Sequence, residues 1–316
     1  MKAPTFWNKK NWQAWLLFPL GCLYASATSL RIKLKKPYKA NVPVICIGNL
    51  TAGGSGKTPT AISIAKILQK QNKNPFFISR GYGGTLQDVV VNKDIHSAGE
   101  VGDEPLLLAR QAGVVVNHKR DEAARKAIEE GADIIIMDDG LQNPLLYKDK
   151  SIVVVDGAVG LGNGLPIPSG PMREFFSVGI KRADAIVMLG DDVHQIAAKA
   201  PQLPVFKGKV VPVKPMAKGA KVVAFAGIGR PNKFYQSLQD CNFEIVKTYS
   251  FPDHHFYTND ELQQIIKEAE FLQADIYTTA KDMVKIPYKL QPKFKVLDIT
   301  IDWEDEKALQ KFLLNE

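Results

Sequence analysis

The feature that most restricts what this chain can become is a glycine-rich turn set between a short apolar run and a helical pattern. Val42 to Ile47 is apolar and β-branched, Gly48-Asn49-Leu50-Thr51-Ala52-Gly53-Gly54-Ser55-Gly56-Lys57-Thr58-Pro59 follows, and apolar positions then recur at Ala61, Ile64, Ala65 and Leu68. Strand, glycine loop and helix in that order make a phosphate-binding loop, because glycines let successive backbone N–H groups wrap phosphate oxygens at a helix N-terminus. Lys57 would neutralise the β and γ phosphates of ATP, and the Thr58 hydroxyl would hold Mg²⁺. The strict spacing calls for Gly where Thr51 stands, so the loop is a variant. Thr51, Ala52, Gly53, Gly54, Ser55, Gly56, Lys57 and Thr58 form the candidate cofactor-binding stretch.

Such a loop needs a parallel sheet behind it. A second apolar strand, Asp133-Ile134-Ile135-Ile136-Met137-Asp138-Asp139-Gly140, follows a helical stretch from Lys119 to Glu130 and ends in two carboxylates. Parallel strands put such residues at the carboxyl edge of the sheet, where one of the two can reach the Mg²⁺ directly or through water. Phe76 to Ser79, Ser151 to Asp156 and Ala183 to Leu189 supply further strands. The fold class expected is α/β: a P-loop NTPase-like, mostly parallel sheet with helices on both faces, plus a smaller C-terminal α/β domain.

A length of 316 residues suits two domains. Pro201, Pro204, Pro212 and Pro215 punctuate two extended stretches, Leu203 to Phe206 and Lys209 to Val213, which read as a linker or hairpin. Beyond them a strand from Lys221 to Ala226 ends in Gly227-Ile228-Gly229-Arg230. That is a weak nucleotide signal without a third glycine, and a packing turn is the better reading. A strand at Phe243 to Thr248, the polar knot Pro252-Asp253-His254-His255-Phe256-Tyr257, a helix capped by Thr258 and Glu261, and a strand at Ala274 to Thr279 ending in Lys281-Asp282 complete this part, before a terminal helix from Glu304 to Leu314. The expected boundaries are an N-terminal segment over 1–38, a kinase-type domain over 39–200, a linker over 201–220 and a smaller α/β domain over 221–316.

Charge is distributed unevenly. The net charge is +8, yet residues 1–87 carry 13 Lys or Arg and no Asp or Glu, leaving the remainder acidic at −5. Such asymmetry points to a polyanionic surface. Between Lys9-Lys10 and Arg31-Ile32-Lys33-Leu34-Lys35-Lys36, the positions Trp12, Trp15, Leu16, Pro19, Leu20, Leu23, Tyr24 and Ala27 form a helical stripe. Its apolar run from Ala14 to Ala25 is too short to span a bilayer, and Pro19 and Gly21 would bend or interrupt the helix. Aromatic residues near both ends with basic flanks fit an element lying in the headgroups of an anionic membrane, with a core helix as the alternative. The segment also imitates a signal peptide, a reading set aside because the nucleotide loop needs cytoplasmic ATP. Three widely separated cysteines suit a reducing compartment and exclude a cysteine-rich zinc site.

These residues resemble one family, the tetraacyldisaccharide 4′-kinases of lipid A assembly. The resemblance is carried by IGNLTAGGSGKTPT at 47–60, SRGYGG at 79–84, VGDEP at 101–105, MDDGLQN at 137–143, GNGLPIPSGPMRE at 162–174, FAGIGRP at 225–231, FPDHHFY at 251–257 and TTAKD at 278–282, in family order. Two departures stand out: Asn143 where the family usually has His, and Phe175 where Pro is common. The resemblance implies transfer of the ATP γ-phosphoryl group to the 4′-hydroxyl of a tetraacylated glucosamine disaccharide 1-phosphate, by a peripheral enzyme on the cytoplasmic face of the bacterial inner membrane. It implies an acylated lipid substrate, contact with an anionic membrane surface through residues 1–36, no nucleic-acid partner and a monomer.

It also places Asp103 and Glu104 beside the nucleotide and Asp253-His254 on the facing domain, where an Asp103–His254 pair would serve as the base, His254 being favoured over His255 by the family alignment. Thr58, Glu104, Asp138 and Asp139 become the Mg²⁺ set. Arg80, Asn163, Arg173 and Glu174 fall in blocks resembling the substrate side, an Arg fork suiting a substrate phosphate; a loop-ordering role is the alternative for each. Rival readings are a cytosolic P-loop kinase for a small metabolite, with the N-terminal stripe as core, and a nucleotide-switched protein with nucleic-acid affinity, for which no helix-turn-helix, RNA-binding or zinc-finger pattern is present.

Overall fold

In a computed structural model, which describes residues 4–213 and 219–315, the first long element is helix α1 (Trp12–Leu34), capped by the Asn11 side chain accepting from the Ala14 N–H. Pro19 and Gly21, expected to bend or interrupt it, lie inside one continuous helix. Pro19 is exposed and Gly21 is buried against the protein.

A nine-stranded sheet follows, built from β1 (Val44–Gly48), β2 (Pro75–Ser79), β3 (Val89–Val90), β4 (Gly113–Val116), β5 (Ile134–Asp138), β6 (Lys150–Asp156), β7 (Ala185–Leu189), β8 (Val205–Pro212) and a late strand. Its helices are α2 (Lys57–Gln69), α3 (Ala98–Val101), α4 (Asp103–Ala109), α5 (Arg120–Glu129) and α6 (Phe176–Gly179). Pairs from β4 across to β8 are parallel, so the carboxyl ends of β1, β2, β5 and β6 open on one edge. Alternation sorts each strand between two faces. Ile45 and Ile47 of β1 pack with Ile64 and Leu68 of α2, while Val44 and Cys46 pack on the other side with Ala123, Ala124 and Ala127 of α5.

A separate four-stranded parallel sheet contains β9 (Lys221–Ala226), β10 (Glu244–Ser250), β11 (Asp275–Thr278) and β12 (Lys295–Val296), in the order β10-β9-β11-β12. Helix α7 (Pro231–Asp240) covers one face through Phe234 and Leu238, and α8 (Asn259–Leu272) covers the other through Leu262, Ile265 and Ile266. A short helix α9 (Ala280–Met283) follows β11.

The chain then returns. The last strand, β13 (Ile299–Trp303), pairs antiparallel with β8, and α10 (Glu306–Leu314) sends Leu309 and Leu313 into the core beneath the large sheet. The boundaries expected from sequence therefore change: residues 201–220 contain a full strand of the large sheet, and the smaller sheet ends at β12 rather than at the terminus. The physical reason is that β8 would otherwise expose a long unpaired edge, which β13 covers. Pro215, one of the prolines read as linker punctuation, lies outside the described residues.

Candidate active site

The phosphate loop crosses from β1 to α2 at the carboxyl edge. Gly56 occupies the N-cap of α2 with φ +86°, a left-handed backbone that glycine adopts without strain. No backbone acceptor among the described residues takes the N–H groups of Gly53, Gly54, Ser55 or Gly56, while Ala52 N–H is tied back to the Pro171 carbonyl at 2.7 Å. The loop is thus anchored at one end and presents donors at the other. Asn49 Nδ2 donates to Ser55 Oγ at 3.0 Å, bracing the turn from inside.

Lys57 Nζ lies 3.7 Å from Asp139, and Arg173 grips the same carboxylate bidentately at 2.7 and 3.0 Å. Burial raises the Asp139 pKa, but Lys57 and Arg173 outweigh it and hold the carboxyl below its ordinary range. Asp138 differs. It ends β5, is 3% exposed, and its Oδ1 is buried with no partner. Burial first, then the Glu104 and Asp139 charges, push its carboxyl well above the ordinary range.

An orphaned buried carboxylate oxygen on the phosphate-loop edge is what a Mg²⁺ ligand looks like before the cation is bound. Among the described residues no three acidic, His or Cys side chains converge into a ready-made cage. That suits Mg²⁺, which ordinarily takes one or two carboxylates and completes its shell with water and phosphate. Of the Mg²⁺ set expected from sequence, Asp138 keeps an unpartnered buried oxygen, whereas both Asp139 oxygens are taken by the Arg173 fork.

From the smaller sheet, the loop after β10 delivers His254, whose φ is +61°. Its Nδ1 meets Asp103 Oδ2 at 2.9 Å across the two sheets. That hydrogen bond raises the His254 pKa; in return, although burial acts the other way, His254 and Lys281 lower that of Asp103, which is 4% exposed. His255 is turned away, its Nε2 against Glu261 at 3.0 Å in the N-terminal cap of α8.

Lys281, which the sequence shows at the end of a strand and inside the TTAKD block but without a role, lies among these groups. Its Nζ lies 3.2 Å from His254 Nε2, 3.3 Å from Asp253 and 3.9 Å from both Asp103 and Glu104. Burial lowers its pKa, but the three surrounding carboxylates more than reverse this.

The residues expected on the substrate side divide. Arg80 is exposed just after β2. Asn163 is buried, and its side chain donates to the Phe6 and Ser169 carbonyls and accepts from Leu165 N–H. Glu174 is fully buried, paired with Arg182 at 2.6 Å and accepting from Gln142 at 2.9 Å. The polar side-chain atoms of Asn163 and Glu174 are thus engaged within the protein, as a loop-ordering role requires, and the Arg173 fork is engaged by Asp139. Asn143 also orders its own turn, its Oδ1 accepting from Leu145 N–H at 2.9 Å. Phe175, the other departure, is the N-cap residue of α6.

This segment joins the site to the N-terminus. Arg173 N–H donates to Leu50 in the phosphate loop, and Asn163 N–H donates to Trp7. A Cβ on Gly21 would stand 2.7 Å from Ser169 Oγ and 2.9 Å from the Pro166 carbonyl, so α1 touches the same segment through its small-residue face of Ala14, Gly21, Ala25 and Thr28. Trp12, Leu16, Leu20 and Leu23 face outward at 72, 70, 55 and 68% exposure. The stripe expected from periodicity is thus the exposed face, not the buried one.

Comparison with known proteins agrees with this fold. The profile of the LpxK family, tetraacyldisaccharide-1-P 4′-kinase, matches residues 13–316. A tetraacyldisaccharide 4′-kinase of Paramagnetospirillum magneticum is 45% identical, covering 98% of this chain and 97% of its own, and one of Rhodospirillum rubrum is 40% identical over 99% and 97%. The crystal structure of LpxK from Aquifex aeolicus in complex with ATP superposes with a TM-score of 0.76 at 27% identity, covering 96% of this chain and 98% of that one. The chain belongs to the tetraacyldisaccharide-1-phosphate 4′-kinase family.

Proposed function

We propose that this chain transfers the γ-phosphoryl group of ATP to the 4′-hydroxyl of a tetraacyldisaccharide 1-phosphate, giving the 4′-phosphorylated lipid A precursor. The observation that carries the reading is the Asp103–His254 pair, brought from two sheets to the edge where the phosphate loop stands. Phosphoryl transfer needs positioning, charge neutralisation and a group that takes the hydroxyl proton.

Lys57 and the loop N–H groups hold the β and γ phosphates. Thr58 and Asp138, within the field of the Glu104 charge, would hold Mg²⁺, which supplies charge neutralisation on the phosphate oxygens when bound. With Nδ1–H donating to Asp103, the His254 Nε2 lone pair is the acceptor, now facing Lys281. As the acceptor oxygen bonds to the γ phosphorus and the bond to ADP breaks, the hydroxyl proton passes to Nε2. Asp103 stabilises the imidazolium so formed. Arg80, exposed at the end of β2, is the side chain free to meet a substrate phosphate.

Among the described residues no helix is long and apolar enough to cross a membrane. The outward face of α1, with Lys and Arg through residue 36, suits a peripheral position on the anionic cytoplasmic leaflet of the inner membrane. There the acylated substrate would be presented beside the 162–174 segment that α1 touches.

The test is ATP carrying a labelled γ-phosphate, incubated with the tetraacyldisaccharide 1-phosphate. A new 4′-phosphate is expected; a folded protein that transfers no label overturns the reading. A Leu16→Glu, Leu20→Glu, Leu23→Glu triple variant is expected to leave anionic vesicles and keep its basal ATP hydrolysis. Each leucine contributes about 1.5 to 3 kcal/mol when fully buried in an apolar phase, so unchanged vesicle binding would place the membrane contact elsewhere.

A further inference from the structure

The turn Gly227–Arg230, read from sequence as a packing turn, reaches the phosphate loop. Arg230 Nη2 donates to the Gly54 carbonyl at 2.7 Å and Nη1 to Asp156 Oδ2 at 2.9 Å, with Lys233 Nζ on the same oxygen at 2.9 Å. Gly54 lies in the loop that would hold the ATP phosphates, and Asp156 ends β6 on the same edge. Beside the apolar packing of Val284 on the large core, polar side chains of the smaller unit reach the larger through His254 and Lys281 on Asp103 and Glu104, and through Arg230 and Lys233 on Gly54 and Asp156.

Both contacts issue from one rigid piece. Asp282, fully buried, accepts from Gly227 N–H at 3.1 Å, from Thr279 Oγ1 at 2.7 Å and from Tyr257 O–H at 2.8 Å, and pairs with Lys285 at 2.7 Å. One carboxylate thus binds the turn that carries Arg230, the loop that carries His254 and the turn that carries Lys281. A rigid piece held only on its His254, Lys281 and Val284 side could swing about that side; a second grip at Arg230 opposes the swing. A forked, charge-assisted donor spanning a carbonyl and a carboxylate fixes direction as well as distance.

We propose that Arg230 is a positioning residue for the transfer step: by fastening the smaller unit to the phosphate loop, it registers His254 Nε2 against the γ-phosphate. This rests on the proposed role of His254 as base, and its action runs through that residue. A displacement near 1 Å at the reacting atoms can cost about 10²-fold in rate.

The experiment is a double-mutant cycle of Arg230→Ala with His254→Ala in the full chain, reading kcat on the acylated acceptor and, separately, equilibrium binding of a non-hydrolysable ATP analogue. Arg230→Ala is expected to lower kcat by about 10²-fold with analogue binding within about threefold of wild type. In the His254→Ala background the same change is expected to cost less than about threefold, because there is no longer a base to misplace. Arg230→Lys, a point charge that reaches only one of the two acceptors, is expected to fall between.

Unaltered kcat in Arg230→Ala, or an equal loss in both backgrounds, overturns the inference while leaving the base assignment intact. Near-normal kcat in His254→Ala overturns the base assignment and this inference with it. If Arg230→Ala fails to fold, Asp156→Asn and Arg230→Lys take its place in the cycle, and wild-type kcat in both overturns the proposal.

Discussion

Two strand-to-helix turns in this molecule share a plan and differ in what they do with their backbone donors. In the first, β1 runs through Gly48–Gly56 into α2, and the N–H groups of Gly53 to Gly56 meet no backbone acceptor among the described residues. In the second, β9 runs through Gly227–Arg230 into α7, and Gly227 N–H is taken by buried Asp282. The first turn, with four successive open donors and a following lysine, receives an anion; the second, a bracket, has its entering glycine fixed by an internal carboxylate, and what it offers is the Arg230 side chain at its end. Glycine content alone does not separate the two. The neighbouring acid does.

The sharpest way to break this contrast is at Lys57. Lys57→Ala is expected to lower kcat by about 10³-fold, since its charge meets the phosphates where negative charge redistributes in the transition state. Steady-state turnover on the lipid acceptor measures it, and a folded variant with near-normal turnover would show that the open turn holds no triphosphate.

The bracket is tested at its centre. Removing the carboxylate in Asp282→Ala leaves fully buried Lys285 without its partner, a change expected to destabilise the fold by about 3 to 5 kcal/mol. Denaturant unfolding reads the loss. Destabilisation under about 1 kcal/mol would mean that the three loops are held by something else.

A smaller effect probes the junction between the turns. The Asp103 hydrogen bond raises the His254 pKa, and a base must be neutral, so the acidic limb of the kcat/KM profile should lie above the ordinary histidine value. Asp103→Asn removes the cause and is expected to move that limb to lower pH while lowering the plateau. A limb that stays in place would assign the titration to another group.

The open turn was legible because its whole chemistry is local: glycines, Lys57 and Thr58 are contiguous. The bracket was not, because Arg230 finds its partners 176 and 74 residues away, and nothing in a Gly-Ile-Gly-Arg string announces them. The pair Asp138-Asp139 shows the same limit at shorter range. Two adjacent acids in sequence look alike, yet positive φ at Asp139 (+51°) accompanies its placement against Arg173, while Asp138 remains inside with an unpaired oxygen.

The return of β13 was missed for a related reason. Ile299 to Trp303 reads as a short strand wherever it falls, and its pairing with β8 is settled by which sheet has an uncovered edge. Trp303 adds a bond from its indole to Ser63 of α2 at 2.9 Å, which no local pattern indicates. In α1, periodicity identified the apolar stripe correctly. It could not tell that four small or polar positions on the opposite side would be the ones pressed into the protein.

In the membrane seat proposed for α1, that small-residue face would act as a depth gauge. Gly21 lets the helix backbone rest directly on Pro166 and Ser169, with no room for a methyl group between them. The same segment is pinned through Arg173 to Asp139 and through Pro171 to Ala52. A bilayer that accepts the leucines of α1, as proposed, would sit at a height set relative to the phosphate loop. A larger residue at position 21 would raise that level without touching a single catalytic atom, and the sugar to be phosphorylated would arrive at the wrong altitude.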